Sequence, residues 1–269
     1  KTVVGEPVGQ FYGYNVIGMF KEADDFYMKD QNGDYLLDDN FKKILVAIPE
    51  NKTIKENEIW YGDYIFEDVN HDGVITEADR KFIGNPEPKF TCGFNNTFTY
   101  KDFDLNISIF GVYGNKVFNF LRQTYTNPMR NSNLLQEVTD LANVALIDPN
   151  GAHVFENMHV SNPDAKICRI ALDDSNNNNR MSSYFVEDGS YLRIKNISLG
   201  YTMPKKLIKK AGLDNVRFYF NVQNPFTFTK YKGFDPEIGA YNYNVLTRGI
   251  DYARYPSQII YTIGLNISL

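Results

Sequence analysis

The stretch Phe90–Tyr113, FTCGFNNTFTYKDFDLNISIFGVY, decides the fold. Phe90, Cys92, Phe94, Phe98 and Tyr100 fall at every second position, interrupted only by Asn96. Between them stand Thr91, Gly93, Asn95, Thr97 and Thr99, all small or polar. After Lys101-Asp102 the alternation resumes with Phe103, Leu105, Ile107 and Ile109 against Asp104, Asn106 and Ser108. A period of two sends alternate side chains to opposite faces of a strand. The segment is therefore a hairpin of two long strands with one apolar and one hydrophilic face. Each run has about ten residues, the length of a tilted strand that crosses a bilayer.

Working outward, the 269-residue chain is long enough for a large core, and its formal net charge of -5 makes a nucleic-acid partner an unfavourable expectation. It carries 19 Tyr and 20 Phe against one Trp, a mix that suits sheets with long wet loops. Cys92 and Cys168 are far apart and read as two independent thiols rather than a disulfide. No apolar run reaches the length of a membrane helix, which excludes a helical membrane protein and leaves strands as the only way to cross. The opening Lys-Thr-Val-Val has no leader character, so a mature chain or a piece of a longer one is expected.

Upstream, residues 10–20 (QFYGYNVIGMF) read as a strand. Short helical turns are expected after Lys21 and over 38–48. The segment DVNHDGVITEAD at 68–79 has the spacing of a calcium loop. Asp68, Asn70 and Asp72 alternate along a tight segment, Gly73 permits the bend, Val74 offers its carbonyl, and Asp79 closes the site at the twelfth position. Calcium takes six to eight oxygens, which this set with its backbone groups approaches. Asp in place of Glu at the last position and a strand in place of the entering helix depart from an EF-hand. A tight acidic turn without metal is the competing reading.

Downstream, a helix is expected over 134–146, and the Asn-rich run SNNNNR at 175–180 reads as solvated loop. Ile197, Leu199, Tyr201 and Met203 alternate cleanly, whereas Leu192 and Ile194 fall on the other parity; a bulge between the two sets, or a strand passing from a protein-covered to a membrane-facing region, would explain the switch. Pro204 ends that strand, and KKLIKKAG forms a basic helical turn. Val216, Phe218, Phe220 and Val222 make the next strand. Tyr261, Ile263, Leu265, Ile267 and Leu269 make the last.

Lipid rather than a protein core is expected against these apolar stripes. The opposite faces are rich in Thr, Asn, Ser and Gly, as a water-filled lumen allows. Aromatics such as Tyr100, Phe103, Tyr113, Tyr201 and Tyr261 cluster near strand ends. Connections alternate between short (101–102, 204–215) and long (21–89, 114–189, 225–257), as between the two sides of an outer-membrane barrel. The long ones then all lie outside. Six long strands are too few to close a barrel in lipid, where open edges leave backbone groups unpaired. The expectation is the C-terminal segment of a larger barrel, spanning 1–269.

Six blocks carry a specific resemblance: PVGQFYGY at 7–14, GDYIFEDVNHDGVITEADRKFIGNPEPKFTCGFN at 62–95, YKDFDLNISIFGVYGN at 100–115, EDGSYLRIKNISLGYTMP at 187–204, VRFYFNVQNPFTFTKYKGFDPE at 216–237 and YTIGLNISL at 261–269. In order and spacing these resemble the SusC/RagA-like TonB-dependent outer-membrane transporters. The resemblance implies an all-β fold, the last strands of a transmembrane antiparallel barrel of about twenty-two strands. Plug and earlier strands lie in the rest of the family's chain, and Leu269 stands where the family ends on Phe. It further implies outer-membrane import of oligosaccharide or peptide, energised through TonB and capped by a SusD-like surface lipoprotein.

Two other classes compete with this reading. A secreted, calcium-stabilised β-sandwich that binds glycans would account for the aromatics and the acidic loop, but not for the alternation of connection lengths. An enzyme has little support. Asp24-Asp25 and Asp173-Asp174 are adjacent acids that splay apart, and His71, His153 and His159 lack metal-ligand spacing. Tyr231, Phe234, Tyr241, Tyr243 and Tyr252 in the last outer loop are candidate contacts for ligand or lipoprotein, against self-packing of that loop. Arg193, Lys195 and Arg217 are expected to shape lumen charge without touching substrate.

Overall fold

A computed structural model describes residues 1–127, 130, 133–171, 173–240 and 244–269. The chain forms two compact units: residues 85–117 with 187–269, and residues 1–84 with 118–186.

The first unit is one antiparallel sheet of five long strands. They are β1 (Phe90–Tyr100), β2 (Phe103–Tyr113), β3 (Tyr191–Thr202), β4 (Asn215–Thr229) and β5 (Ile260–Ser268). Their spatial order is β5-β4-β3-β2-β1, so every strand pairs with its neighbour in sequence. β1 and β2 are joined by the two-residue turn Lys101-Asp102, with Lys101 left-handed at φ 52°. Register aligns the apolar sets across the whole sheet. One row runs Phe98, Leu105, Leu199, Phe220, Ile263, and the next runs Tyr100, Phe103, Tyr201, Phe218, Leu265. A one-residue slip would turn a whole set over, so this agreement fixes the register. A bulge is present at the parity switch: pairing of β3 with both neighbours shifts between Ile194 and Asn196. Beyond it, Leu192 and Ile194 rejoin the apolar face, opposite Phe228 and Phe226. The basic segment after Pro204 forms a helical turn, Lys205–Ile208, continued by a tighter one over Lys209–Ala211.

The second unit has little regular structure and a compact aromatic core. Phe20, Phe26, Ile59, Trp60, Tyr61, Tyr64 and Phe66 are buried together with Met158 and Val160. Phe20 and Phe26 stack at 4.2 Å, and Phe26 meets Tyr61 and Phe155 edge-on at 5.0 and 5.1 Å. Short ribbons frame the core: Phe11–Gly13 with Lys81–Gly84, Val16–Met19 with Tyr64–Phe66, and Val144–Leu146 with Met158–Val160. Arg169 makes a two-point ion pair with buried Asp63, Nε to Oδ1 at 3.0 Å and Nη2 to Oδ2 at 3.2 Å.

Four local expectations are corrected here. Residues 10–20 are not a sixth long strand. They form the two short strands Phe11–Gly13 and Val16–Met19, because Phe11, Tyr14, Met19 and Phe20 turn into the core without a period of two. The expected helical turn over 38–48 is an extended meander, since the Asp38 carboxylate accepts the N–H groups of Asn40 and Lys42 and closes a turn instead. The helix expected over 134–146 is a 3-10 turn at Gln136–Asp140 followed by the strand Val144–Leu146, which pairs with Met158–Val160. The Asn-rich run is half buried: Asn176 donates to the Tyr64 carbonyl at 2.9 Å, and the Asn178 side chain accepts the Tyr64 N–H at 2.9 Å. Two amides thus satisfy the edge of the Tyr64–Phe66 strand, where composition alone suggests solvent.

Candidate functional site

The sheet offers two chemically opposite faces and a loop tied to one end. Its apolar face is open. Phe94 is 56% exposed and Ile263 83%, with Phe90, Phe98, Phe218, Phe228, Leu265 and Ile267 also exposed. Among the described residues of this unit no second large sheet is present to cover this face, so the unit itself gives the sandwich reading no support. A contiguous apolar surface of this extent is stable against hydrocarbon, not water.

The other face is hydrophilic and internally bonded. Asn106 donates to Thr97 Oγ1 at 2.9 Å, and Ser108 bonds Asn95. Arg217 Nη2 reaches Asp104 Oδ2 at 2.6 Å across β3. The pair passes over Gly200, where a Cβ would lie 2.3 Å from both Arg217 Nη2 and Asp104 Oδ1. Beside it the Tyr219 ring covers Gly264, leaving only 2.1 Å between its Cζ and a Cβ placed there. Both glycines are positions where a longer neighbour crosses the backbone closely. Arg217 is therefore engaged by a carboxylate in the wall of this face.

On the central strand β3, at the end of the sheet away from the short turns, Arg193 organises the last long connection. Arg193 and Asp235 are each 2% exposed. Arg193 Nη2 donates to Asp235 Oδ1 at 2.7 Å, Nη1 to Glu237 Oε2 at 2.7 Å, and Nε to Thr227 Oγ1 at 2.8 Å. Lys195 adds a second cation on Glu237 at 2.7 Å. Burial opposes ionisation of Asp235. The N–H groups of Glu237 and Ser257 and the Arg193 guanidinium outweigh it and hold the carboxyl down to about 2. Tyr231 is buried and donates to Asp251 Oδ2 at 2.6 Å, and burial together with that carboxylate pushes its phenol up. Of the other loop aromatics, Phe234 and Tyr252 are exposed, while Tyr241 and Tyr243 lie outside the described residues. Sequence reasoning missed Asp235, Glu237 and Asp251. The available signal was Arg193 itself, a cation set between Leu192 and Ile194 within a strand.

The acidic loop 68–79 is closed by its own backbone. Asp68 accepts the N–H groups of His71 and Gly73 at 2.7 and 2.8 Å, Asn70 that of Asp72 at 3.3 Å, and Asp72 that of Val74 at 3.0 Å. Gly73 takes the left-handed conformation expected of it, φ 84°. Asp79 is fully buried, and its two oxygens accept the N–H groups of Val69 and Thr76 at 2.9 and 2.7 Å. Asp79 therefore spans the loop as a hydrogen-bond clasp. Among the described residues no three Asp, Glu, His or Cys side chains converge on one metal position. Cys92 and Cys168 are both free.

One sheet with a lipid-type face, a hydrophilic face, short turns at one end and long connections at the other is the wall of a transmembrane β-barrel. No family model matches the chain. TonB-dependent receptor P3 of Formosa agariphila is 33% identical over 267 residues, which cover 98% of this chain and 22% of that protein. TonB-dependent receptor SusC of Bacteroides thetaiotaomicron is 31% identical over 205 residues, 76% of this chain and 17% of that protein. The solved structure of the RagAB peptide transporter superimposes with a TM-score of 0.60 at 17% identity, over 97% of this chain and 23% of that one. The chain belongs to the TonB-dependent receptors of the SusC/RagA kind, and it spans less than a quarter of the length of these relatives. Its place is the outer membrane, and its relatives are receptors and transporters, not enzymes.

Proposed function

We propose that residues 1–269 form part of the barrel of an outer-membrane importer that takes up oligosaccharide or peptide. The observation that carries the reading is the sheet itself: an apolar outer face joined in register to a polar inner face, in a chain similar to TonB-dependent receptors over 98% of its length. In this reading the sheet pairs through its two open edges with the remaining strands, and the plug fills the lumen. TonB contacts a region outside this chain, and a SusD-like lipoprotein covers the outer loops. Peptide is supported by a structural neighbour named a peptide transporter, and oligosaccharide by the resemblance carried by the six sequence blocks. Deleting the receptor in its host and following uptake of labelled glycan and peptide pools is the test. Loss of one pool, restored by complementation, is the expected result. Undiminished uptake of both would defeat the proposal.

A structural calcium ion at Asp68, Asn70, Asp72, Val74 and Asp79 is a separate proposal, supported by spacing and by the left-handed Gly73. With Asp79 clasping Val69 and Thr76, an ion requires that carboxylate to exchange backbone N–H groups for metal. Calcium should then slow proteolysis of 49–89 and EGTA should restore it. Cleavage indifferent to both would remove the ion from the account.

A further inference from the structure

We infer that the basic turn between β3 and β4 anchors this barrel wall to anionic phospholipid headgroups on the short-turn side of the membrane. The turn is PKKLIKKAGLD, residues 204–214. It is held at both ends to the strand ladder: Met203 N–H donates to the Val216 carbonyl at 2.8 Å, and Asp214 N–H to the Ser268 carbonyl at 2.9 Å. Ile208 is buried beneath it, which leaves the rest of the turn facing outward. Lys205, Lys206, Lys209 and Lys210 are all exposed, and among the described residues none of the four has an ion-pair partner. Between them Leu207 is 63% exposed.

Elsewhere in the sheet cations are used differently. Arg193, Lys195 and Arg217 each hold a carboxylate at 2.6 to 2.7 Å. Four unpaired lysines in a chain of net charge -5 are a local reversal of sign. Their level in the sheet is equally specific. Tyr100, Phe103 and Tyr201 form one row across β1, β2 and β3, with the Phe103 and Tyr201 rings 4.7 Å apart. Tyr rings mark the depth at which hydrocarbon gives way to headgroups. In the adjacent turn Lys101 stands 5.3 Å over the Tyr100 ring, so cations follow directly on the aromatic row. A cluster of lysines beside a membrane-spanning segment is attracted to anionic lipid, and an exposed apolar side chain among them enters the interface. The occupant is phospholipid because the turn follows directly on the Tyr100, Phe103, Tyr201 row and carries the charge that complements its headgroups.

The inference rests on the chain lying in a bilayer, not on what the barrel imports. The test is native mass spectrometry of the whole receptor equilibrated with equal amounts of phosphatidylglycerol and phosphatidylcholine. Wild type should retain phosphatidylglycerol preferentially. Substituting all four lysines by Gln should lower that preference roughly tenfold or more, while four Arg should preserve it. The pairs K205Q/K206Q and K209Q/K210Q should fall between, and Leu207→Asn should weaken retention of both lipids. Heat-modifiable gel mobility confirms that each variant is a folded barrel. Equal retention of the two lipids by wild type, or a preference unchanged in the four-Gln variant, overturns the inference. So does loss of binding to peptidoglycan sacculi in that variant with lipid retention intact.

Discussion

Phe26 and Phe98 are the same residue in opposite circumstances. Phe26 is 0% exposed, stacked on Phe20 inside the aromatic unit. Phe98 is 54% exposed at the β1 end of a five-residue apolar row on the sheet. In the aromatic unit apolar groups are driven together by water, and regular secondary structure is almost dispensable. In the sheet backbone pairing does the organising, and the apolar side chains are left for a solvent that welcomes them. One hydrophobicity scale therefore reports two different forces along one chain.

The sharpest break of that comparison is truncation of the two rings. Phe26→Ala should destabilise the aromatic unit by about 3–5 kcal/mol, because it removes a fully buried ring and leaves a cavity. Phe98→Ala should cost barrel stability in lipid about 1–2 kcal/mol, the transfer contribution alone, since hydrocarbon refills the space and leaves no cavity. Hydrogen exchange of residues 14–66 and urea unfolding of the barrel read the two effects. Equal losses would mean that the sheet's apolar face is packed against protein.

Next in size is the Arg193 clamp, a buried pair within the sheet unit. Asp235→Asn leaves Arg193 buried and short of its one buried counter-charge, a loss of about 3–5 kcal/mol for that loop. Trypsin should then cut within 230–259 while β1 to β4 stay protected. The pH dependence has a definite sign. Asp235 is depressed to about 2 from the ordinary carboxylate value of about 3.9. Its contribution is present above about pH 4 and disappears as pH falls toward 2. Acid opening of the loop in that window should be lost in the Asn variant.

A third test uses the alternation itself. Phe220 points to the apolar face and the adjacent Asn221 to the hydrophilic one. Phe220→Arg should cost about 2–4 kcal/mol in lipid, falling with distance from the midplane. Asn221→Arg should cost well under half of that in the same urea series, because its side chain is wet. Similar penalties at both positions would contradict a lumen.

Much of the sheet was legible because a period of two is written in side chains that have only two places to go. Phe90–Tyr113 shows the first hairpin outright, and the parity change between Ile194 and Ile197 marks the stretch where the structure has a bulge, one of the two explanations the pattern left open. The aromatic unit was not legible. Its order comes from side chain–backbone bonds between distant residues, such as Asn178 with Tyr64 and Arg169 with Asp63, which leave no periodic trace. The same limit hid the loop clamp: Asp235 looks like any loop acid until Arg193 is found against it. The acidic loop shows the converse. Its spacing was legible, but the same spacing serves two arrangements, metal ligands or carboxylate-capped turns, and only the backbone bonds accepted by Asp68, Asp72 and Asp79 needed the structure to be seen.

The smallest expected effect separates a charge pair in the lumen wall from the one in the loop. Asp104 and Arg217 are each about one-third exposed as side chains, 31% and 29%. Screening by water limits such a pair to about 1 kcal/mol or less, so Asp104→Asn should move the urea midpoint slightly where Asp235→Asn moves loop protection greatly. Gly200→Ala sharpens the point. Its Cβ would meet only the ends of two flexible side chains, at 2.3 Å, and these can swing aside into the lumen. The substitution should therefore undo the pair and little else. Gly200→Ala and Asp104→Asn remove the same interaction, so the double variant should be no less stable than the worse single one. Losses that add would show that Gly200 is needed for the strand itself, and the carboxylate bridge would then be a consequence of that close approach.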